Sequence, residues 1–353
     1  MSHPWNTAAC QPPSELHSQL ARARQSSLTK PPGSLGRLEQ LAIELAGQQG
    51  TERPKAIRAP ILIFAGDHGV TSQGVSAYPA DVTVQMLSNF ASGGAAISVL
   101  ARELGVPLTV VDAGTRAAMP IPGVVTDKPR CGTRDFSEEP ALTEAELSHA
   151  LGCGRRAVEA IMIEGGDVLI LGEMGIGNTT SATAIACALT NRLPDDIVGS
   201  GTGVDAAGRK RKTQIVSGAL ALHDLAAGSA TVERILASVG GLEISALTGA
   251  IITAAQKGIP VLVDGFIVSV AALAAVCINP SCRPWLIFSH RSAERGHRLV
   301  LEHLEANPIL DLELRLGEGS GAAIALPILR LACALHNGMA TFEEAAVSGR
   351  VEP

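Results

Sequence analysis

Aromatic side chains are scarce in this 353-residue chain: six Phe, two Trp and one Tyr make up 3% of it. A surface for single-stranded nucleic acid needs stacking rings beside a basic groove, and here the net charge is −6. The only basic cluster, Arg209-Lys210-Arg211-Lys212, is too short to make such a face, which argues against nucleic acid as a partner. The seven cysteines, at 10, 131, 153, 187, 277, 282 and 333, are odd in number and form no C-x-x-C. They read as small buried apolar side chains in a reducing cytosol rather than as a disulfide framework. His290 and His297 lack cysteine or acidic partners at ligand spacing, so no metal site is expected. The longest apolar stretch, Ile259 to Ile278, is broken by Asp264 and Gly265. Its uninterrupted part is too short to span a bilayer and reads as a buried strand followed by a buried helix, so no membrane is expected. Met1 to Trp5 lack the basic-then-apolar pattern of a signal sequence, and a cytoplasmic location is expected.

What is present suits a layered α/β enzyme. The chain is 46% hydrophobic and 18% charged, and it carries 37 glycines for turns and close backbone approaches. Its length exceeds a usual single core, which favours one large domain and a satellite. Glu15–Gln25 and Leu35–Gln49 read as helices, separated by an irregular Lys30-Pro-Pro-Gly-Ser34. From residue 60 short β-rich runs alternate with helical segments, the pattern of a parallel sheet. Six runs end on polar or acidic residues, five of them with glycine close by: 61–65 at Gly66-Asp67, 108–111 at Asp112-Ala-Gly114, 168–171 at Gly172-Glu173, 261–263 at Asp264-Gly265, 285–288 at Ser289-His290, and 312–316 at Gly317-Glu318. Ligands of open parallel sheets bind beyond the carboxyl ends of the strands, where these groups would collect.

Asp81 is expected to cap a single helix carrying Met86, Phe90, Ile97, Leu100 and Leu104 on one face and Gln85 and Asn89 on another. Ala322–His336 reads as an apolar helix and Thr341–Ala346 as a short capped one. The expected organisation is a Rossmann-like parallel sheet flanked by helices over residues 56–324, with a small helical domain built from 1–55 and 325–353.

Three segments carry candidate chemistry. Gly175-Ile-Gly-Asn-Thr-Thr180 follows a strand and opens a helix, which suits either a phosphate or a plain tight turn. Gly199 to Asp205 precedes the basic run and adds backbone donors and a lysine. Glu318 lies between glycines in Gly317-Glu-Gly-Ser-Gly321, as a reactive carboxylate open to close approach or as a helix-capping one. Glu173 is a second strand-end carboxylate. A kinase or dehydrogenase would need a Walker lysine or a complete dinucleotide fingerprint, and both are missing.

Eight segments in order, across about residues 28–349, resemble the nicotinate-nucleotide:5,6-dimethylbenzimidazole phosphoribosyltransferase family. They are Lys30-Pro-Pro-Gly-Ser-Leu-Gly-Arg-Leu-Glu39, Ala65-Gly-Asp-His-Gly-Val70, Gly74-Val-Ser-Ala-Tyr-Pro79, Gly172 to Thr180, Gly199 to Asp205, Val263-Asp-Gly-Phe266, Ser289-His-Arg-Ser-Ala-Glu294 and Leu316 to Gly321. The resemblance implies transfer of 5-phosphoribose from nicotinate mononucleotide to dimethylbenzimidazole by a homodimer with no cofactor. It implies that Glu318 is the general base. Glu173, Gly175, Gly177, Gly203, Ser292 and a lysine of the basic run, best matched by Lys212 with Lys210 close by, would bind the nucleotide. Ser76, Tyr78 and Gln85 would line the benzimidazole pocket. A relative that binds nucleotide without turnover is the competing reading.

Overall fold

The computed structural model describes residues 5–161, 163, 165–199, 201, 203–225 and 230–348. Ser200 and Thr202 of the second glycine-rich stretch, and residues 1–4 and 349–353 of the expected small domain, lie outside them.

Two helices open the chain, α1 (Glu15–Ser27) and α2 (Arg37–Gln49). Ser14 caps α1 by accepting from His17 N. The Lys30–Ser34 turn between the helices is tied to Glu39, which pairs with Lys30 Nζ at 2.8 Å and accepts from Gly33 N and Leu35 N. There follow β1 (Ile61–Gly66), α3 (Val82–Ser92), α4 (Ala96–Leu104), β2 (Leu108–Gly114), β3 (Val124–Thr126), α5 (Glu144–Ile161), β4 (Leu169–Met174), α6 (Asn178–Thr190) and α7 (Pro194–Ile197). The remainder is α8 (Ala206–Leu222), α9 (Val232–Val239), α10 (Leu242–Gln256), β5 (Val261–Val263), α11 (Phe266–Ile278), β6 (Leu286–Phe288), α12 (His297–His303) and α13 (Ser320–Gly338).

The six strands form one parallel sheet in the order β3-β2-β1-β4-β5-β6, the doubly wound order of nucleotide-binding folds. Alternate residues feed two cores. Leu62, Phe64, Leu169 and Leu171 face the helices α5, α6, α10 and α11, whereas Ile61, Ile63, Ala65 and Ile170 face α2, α4 and α13. With both faces covered, each strand is a continuous apolar run, which is why the central ones are visible in sequence. Gly154 and Gly249 let α5 and α10 cross with their backbones touching, because a Cβ on either would enter the other helix's main chain.

Several sequence expectations need correction. The segment 312–316 is not a strand, although its leucines alternate. It runs as irregular coil, with Glu313 at φ +57° and Leu312 and Leu316 exposed, and the sixth strand is instead β3 at the opposite edge. The expected helix from Asp81 is two helices, because Gly93 at φ +86° closes α3 onto Asn89 and Phe90. Asp81 stands at the N-terminus of α3 but its side chain caps nothing there. Thr341–Ala346 is a turn rather than a helix, with Thr341 and Glu344 exchanging backbone-to-side-chain bonds of 2.8 and 3.1 Å.

The stretch read as a buried strand and helix is β5 and α11. Val82–Leu104 and Ser320–Gly338 are apolar enough to cross a membrane by length and composition. The first is broken at Gly93, and the second packs against α2, α4 and β4 within the fold. Arg24 of α1 donates to the carbonyls of His336, Asn337 and Met339, so α1 meets the C-terminal end of α13. The expected boundary at 324/325 falls inside α13.

Candidate active site

The strand order reverses between β1 and β4, and a cavity of ≈ 610 Å³ opens at the carboxyl ends of β4, β5 and β6. Its floor carries Glu173 from β4 and Asp264 from the end of β5. Ser292 and His290 follow β6, and Glu318 stands on the loop before α13. Val82 and Met86 of α3, Tyr78 and Leu316 supply an apolar wall.

Glu318 has an unusual backbone. Gly317, Glu318 and Gly319 have φ of +86°, +62° and +76°, three consecutive left-handed residues. Among the described residues six non-glycine residues have positive φ, and Glu318 is the only buried one. Such a conformation costs on the order of 1–3 kcal/mol and persists only where its surroundings impose it. Here they do: the loop lies directly on Gly172 of β4, where any Cβ would strike the backbone of Glu318 and Gly319. The glycines around the carboxylate therefore serve both backbone conformation and close packing.

Glu318 does not cap α13. Asp264 does, accepting from Gly319 N at 3.2 Å and Ala322 N at 3.0 Å. The side chain of Glu318 reaches instead to the first turn of α4, where Ile97 N lies 3.4 Å from its Oε2. Burial raises its carboxyl above the usual carboxylate range, the Ile97 N–H opposes this, and the nearby Asp264 adds to it. Glu173 is pushed further, to about 8, by burial and by the carboxylates of Asp264, Glu243 and Glu318, against a hydrogen bond from Asn178. At neutral pH Glu173 is thus mainly protonated and able to donate a hydrogen bond.

The glycine-rich turn 175–177 delivers α6. Gly175 lines the cavity, and Ile176 N is held by Thr83 Oγ1 at 3.1 Å. Thr179 in the first turn of α6 faces the cavity, and its Oγ1 accepts from Lys212 Nζ at 2.8 Å. Lys212 is 1% exposed, whereas Lys210 points to solvent, so the inward lysine of the basic run is Lys212. Burial lowers Lys212 to about 8, partly offset by Glu294. Arg211 turns the other way and binds the carbonyl of Gly74, anchoring the loop that carries Tyr78. The buried ammonium and the hydroxyl meet at the N-terminal turn of α6, an arrangement whose charge suits an anion, although Lys212 itself stands behind Thr179 and is not among the lining residues.

Not every expected residue reaches this space. Gly177 has φ +92° and packs against Thr71 and His68 rather than lining the cavity, so it serves the turn. Gly203 is exposed at φ +106°, and neither Ser76 nor Gln85 is among the lining residues. Gln85 is turned to solvent because Val82 and Met86 hold the inward stripe of α3. Ser76 Oγ instead accepts from Tyr78 N at 3.1 Å.

A phosphoribosyltransferase family model, DBI_PRT, matches residues 10–347. The chain belongs to that family. It is 64% identical over 346 residues to the nicotinate-nucleotide–dimethylbenzimidazole phosphoribosyltransferase of Bradyrhizobium sp. BTAi1, covering 98% of both chains. With the protein of the same name from Pseudomonas savastanoi pv. phaseolicola it shares 55% over 350 residues, 99% of each. The crystal structure of nicotinate-nucleotide-dimethylbenzimidazole phosphoribosyltransferase from Thermus thermophilus is 41% identical. It superimposes with a TM-score of 0.90 over 96% of this chain and 100% of that one.

At this candidate site, the capping role of Asp264 and the wall positions of Val82 and Met86 escaped the sequence reading. Asp264 carried a usable sign, since it ends a strand beside glycine as Glu173 does. His297 left none. Its Nδ1 accepts from Ser292 N at 2.8 Å, which puts the ring proton on Nε2, facing Ser269 Oγ at 2.9 Å. Burial holds His297 far down, to about 3, so it stays neutral and fixes the Ser292 backbone.

Proposed function

We propose that this chain transfers the 5-phosphoribosyl group from nicotinate mononucleotide to 5,6-dimethylbenzimidazole. The products are α-ribazole 5′-phosphate and nicotinate, and the step belongs to assembly of the cobalamin lower ligand. Membership of the family and the names of its relatives support the substrates. The observation that supports the mechanism best is the buried, left-handed Glu318, which does not cap α13 and opens onto the cavity.

In this reading Lys212 and the first turn of α6 hold the 5′-phosphate, while Glu173 and Ser292 contact the nucleotide. The benzimidazole lies against Val82, Met86, Tyr78 and Leu316. One benzimidazole nitrogen attacks C1′ as the bond to the pyridinium nitrogen breaks. The bonding pair leaves on that nitrogen, giving a neutral ring that needs no acid. The other azole N–H becomes acidic, and Glu318 takes its proton. Holding both rings at C1′ supplies much of the remaining rate. No pyrophosphate departs, so no metal or cofactor is called for. The enzyme acts as a cytoplasmic homodimer, with α1, α2 and the C-terminal part of α13 as its small helical domain.

Incubation with nicotinate mononucleotide and dimethylbenzimidazole, read by free nicotinate and by the mass of the product, tests the activity. Release of nicotinate only when both substrates are present is the expected result. Tight nucleotide binding without release would instead identify a non-catalytic relative.

A further inference from the structure

Residues 5–11 lie as a strap across α10, α11 and the 3-10 turn Pro280–Trp285. Gln256 Nε2 donates to the carbonyls of Trp5 and Ala8 at 2.6 and 2.8 Å, and Asn279 Nδ2 to those of Ala8 and Asn6 at 2.8 and 3.2 Å. Trp285 Nε1 donates to Gln11 O at 3.1 Å, and the Cys10 N–H to Ser281 Oγ at 2.9 Å. These bonds bring Cys10 Sγ to 3.7 Å from Cys282 Sγ, with the two residues 6% and 0% exposed.

We propose that Cys10 and Cys282 form a dithiol site which a low-molecular-weight disulfide oxidises to an internal cystine, stapling the strap to the turn before β6. The phosphoribosyl transfer does not use these thiols, and they lie on a different part of the fold from the cavity residues.

The other cysteines are placed differently. Cys153, Cys187 and Cys333 are buried, and burial raises all three thiols, Cys187 and Cys333 to about 12. Cys131 and Cys277 are exposed. Cys10 is the exception: the hydrogen bond with Cys282 holds its thiol below the ordinary range, and Cys282 rises in return. Cys10 sits on the non-helical strap and is the more accessible of the two, 6% exposed against 0%, so it takes the part of the attacking thiolate and Cys282 that of the resolving thiol.

The step balances as follows. Cys10 thiolate attacks one sulfur of the small disulfide, whose S–S bond breaks and releases one thiolate. Cys282 then loses its proton and attacks Cys10 Sγ, expelling the second thiolate. The two cysteines are oxidised, the small disulfide is reduced to two thiols, and those thiols carry away both protons. The sulfurs must close by less than about 2 Å, a shift that the non-helical strap can supply.

Treatment of the full chain with oxidised glutathione, followed by alkylation, digestion and mass spectrometry, tests the proposal. A linked peptide pair containing Cys10 and Cys282, two hydrogens lighter than the reduced pair, is expected. The melting temperature should rise by several degrees and return on adding dithiothreitol. Cys10→Ser, on the strap, should remove both effects while keeping the parent's reduced melting temperature. Cys282→Ala should trap glutathione on Cys10. The proposal is overturned if Cys10 and Cys282 both remain alkylated while Cys131 and Cys277 react, or if glutathione stays on Cys10 in the parent.

Discussion

The Asp264 carboxylate closes the first turn of α13 by accepting the Ala322 amide at 3.0 Å, with Gly319 N on its other oxygen at 3.2 Å. Asp264 comes from the end of β5 and Ala322 from a helix nearly sixty residues later, so one side chain joins the sheet to the Glu318 loop. With the helix end already satisfied, the Glu318 carboxylate is left to the cavity. The division of labour between two neighbouring carboxylates, one structural and one facing the cavity, can be separated by mutation.

Asp264→Ala should destabilise the protein. It leaves the Gly319 and Ala322 amides buried without an acceptor, at about 1–3 kcal/mol. A fall of several degrees in melting temperature is expected, together with lower turnover, because the loop bearing Glu318 loses its anchor. Asp264→Asn keeps one acceptor oxygen and should lie between parent and alanine variant. An alanine variant melting with the parent would show that the cap carries little of the loop's stability.

Lys212→Met and Lys210→Met should behave differently. Lys212 is buried with its Nζ on Thr179, and Lys210 is exposed. Loss of a charged hydrogen bond to phosphate costs about 1.5–3 kcal/mol, so the KM for nicotinate mononucleotide should rise by roughly 10- to 150-fold in the first variant. The second should match the parent. Because burial brings Lys212 down to about 8, nucleotide affinity should weaken as pH rises through that value in the parent. Unchanged affinity in Lys212→Met would move the phosphate elsewhere.

How far the sequence reveals this molecule depends on what each residue packs against. The strands β1, β4, β5 and β6 are legible because parallel strands covered on both faces need unbroken apolar runs. The edge strand β3 is not, since it has three residues and Val125 is 52% exposed. Residues 312–316 mislead for the opposite reason: alternating leucines fit a strand, but here they edge a cavity. Glu318, Glu173, Gly175 and Ser292 are legible through their place beyond strand ends, where topology collects them. Gln85 is not, because a helix rotates by about 100° per residue and one position decides whether a side chain meets ligand or water, and Ser76 lies in a loop before α3 whose course no periodicity gives. The capping role of Asp264 depends on a partner 58 residues away, which no local pattern carries.

Glu173→Gln should flatten the dependence of stability on pH. The folded carboxyl titrates near 8 and the unfolded one near its ordinary value of 4.5. Between those values the folded state binds the extra proton, so its stability is greatest below the lower value and declines as pH rises toward 8. The slope is at most about 1.4 kcal/mol per pH unit. Glutamine has no proton to lose, so denaturant midpoints of the variant should lose less than the parent's between pH 5 and 8. Equal slopes in the two proteins would mean that Glu173 is ionised in the folded state.

Glu318→Gln should separate chemistry from binding and from stability. Glutamine has nearly the same size, and its carbonyl can still face Ile97 N, but it cannot take the azole proton. General-base catalysis contributes about 10²–10⁴-fold, so kcat should fall by that order while nicotinate mononucleotide binds as in the parent. The α13 amides stay on Asp264, so the melting temperature should move by a few degrees at most. The parent's turnover should also decline on the acid side as Glu318 takes up a proton. Burial raises this carboxyl, so the midpoint should lie above the ordinary carboxylate range, and the residual activity of the variant should lack that limb. Single-turnover rates across pH, nucleotide affinity and melting temperature, measured on one preparation, distinguish the roles. A capping role predicts a loss of about 0.5–2 kcal/mol with turnover kept. Turnover within a few-fold of the parent would rule out Glu318 as the base, and loss of nucleotide affinity together with turnover would make Glu318 a residue that holds the site together.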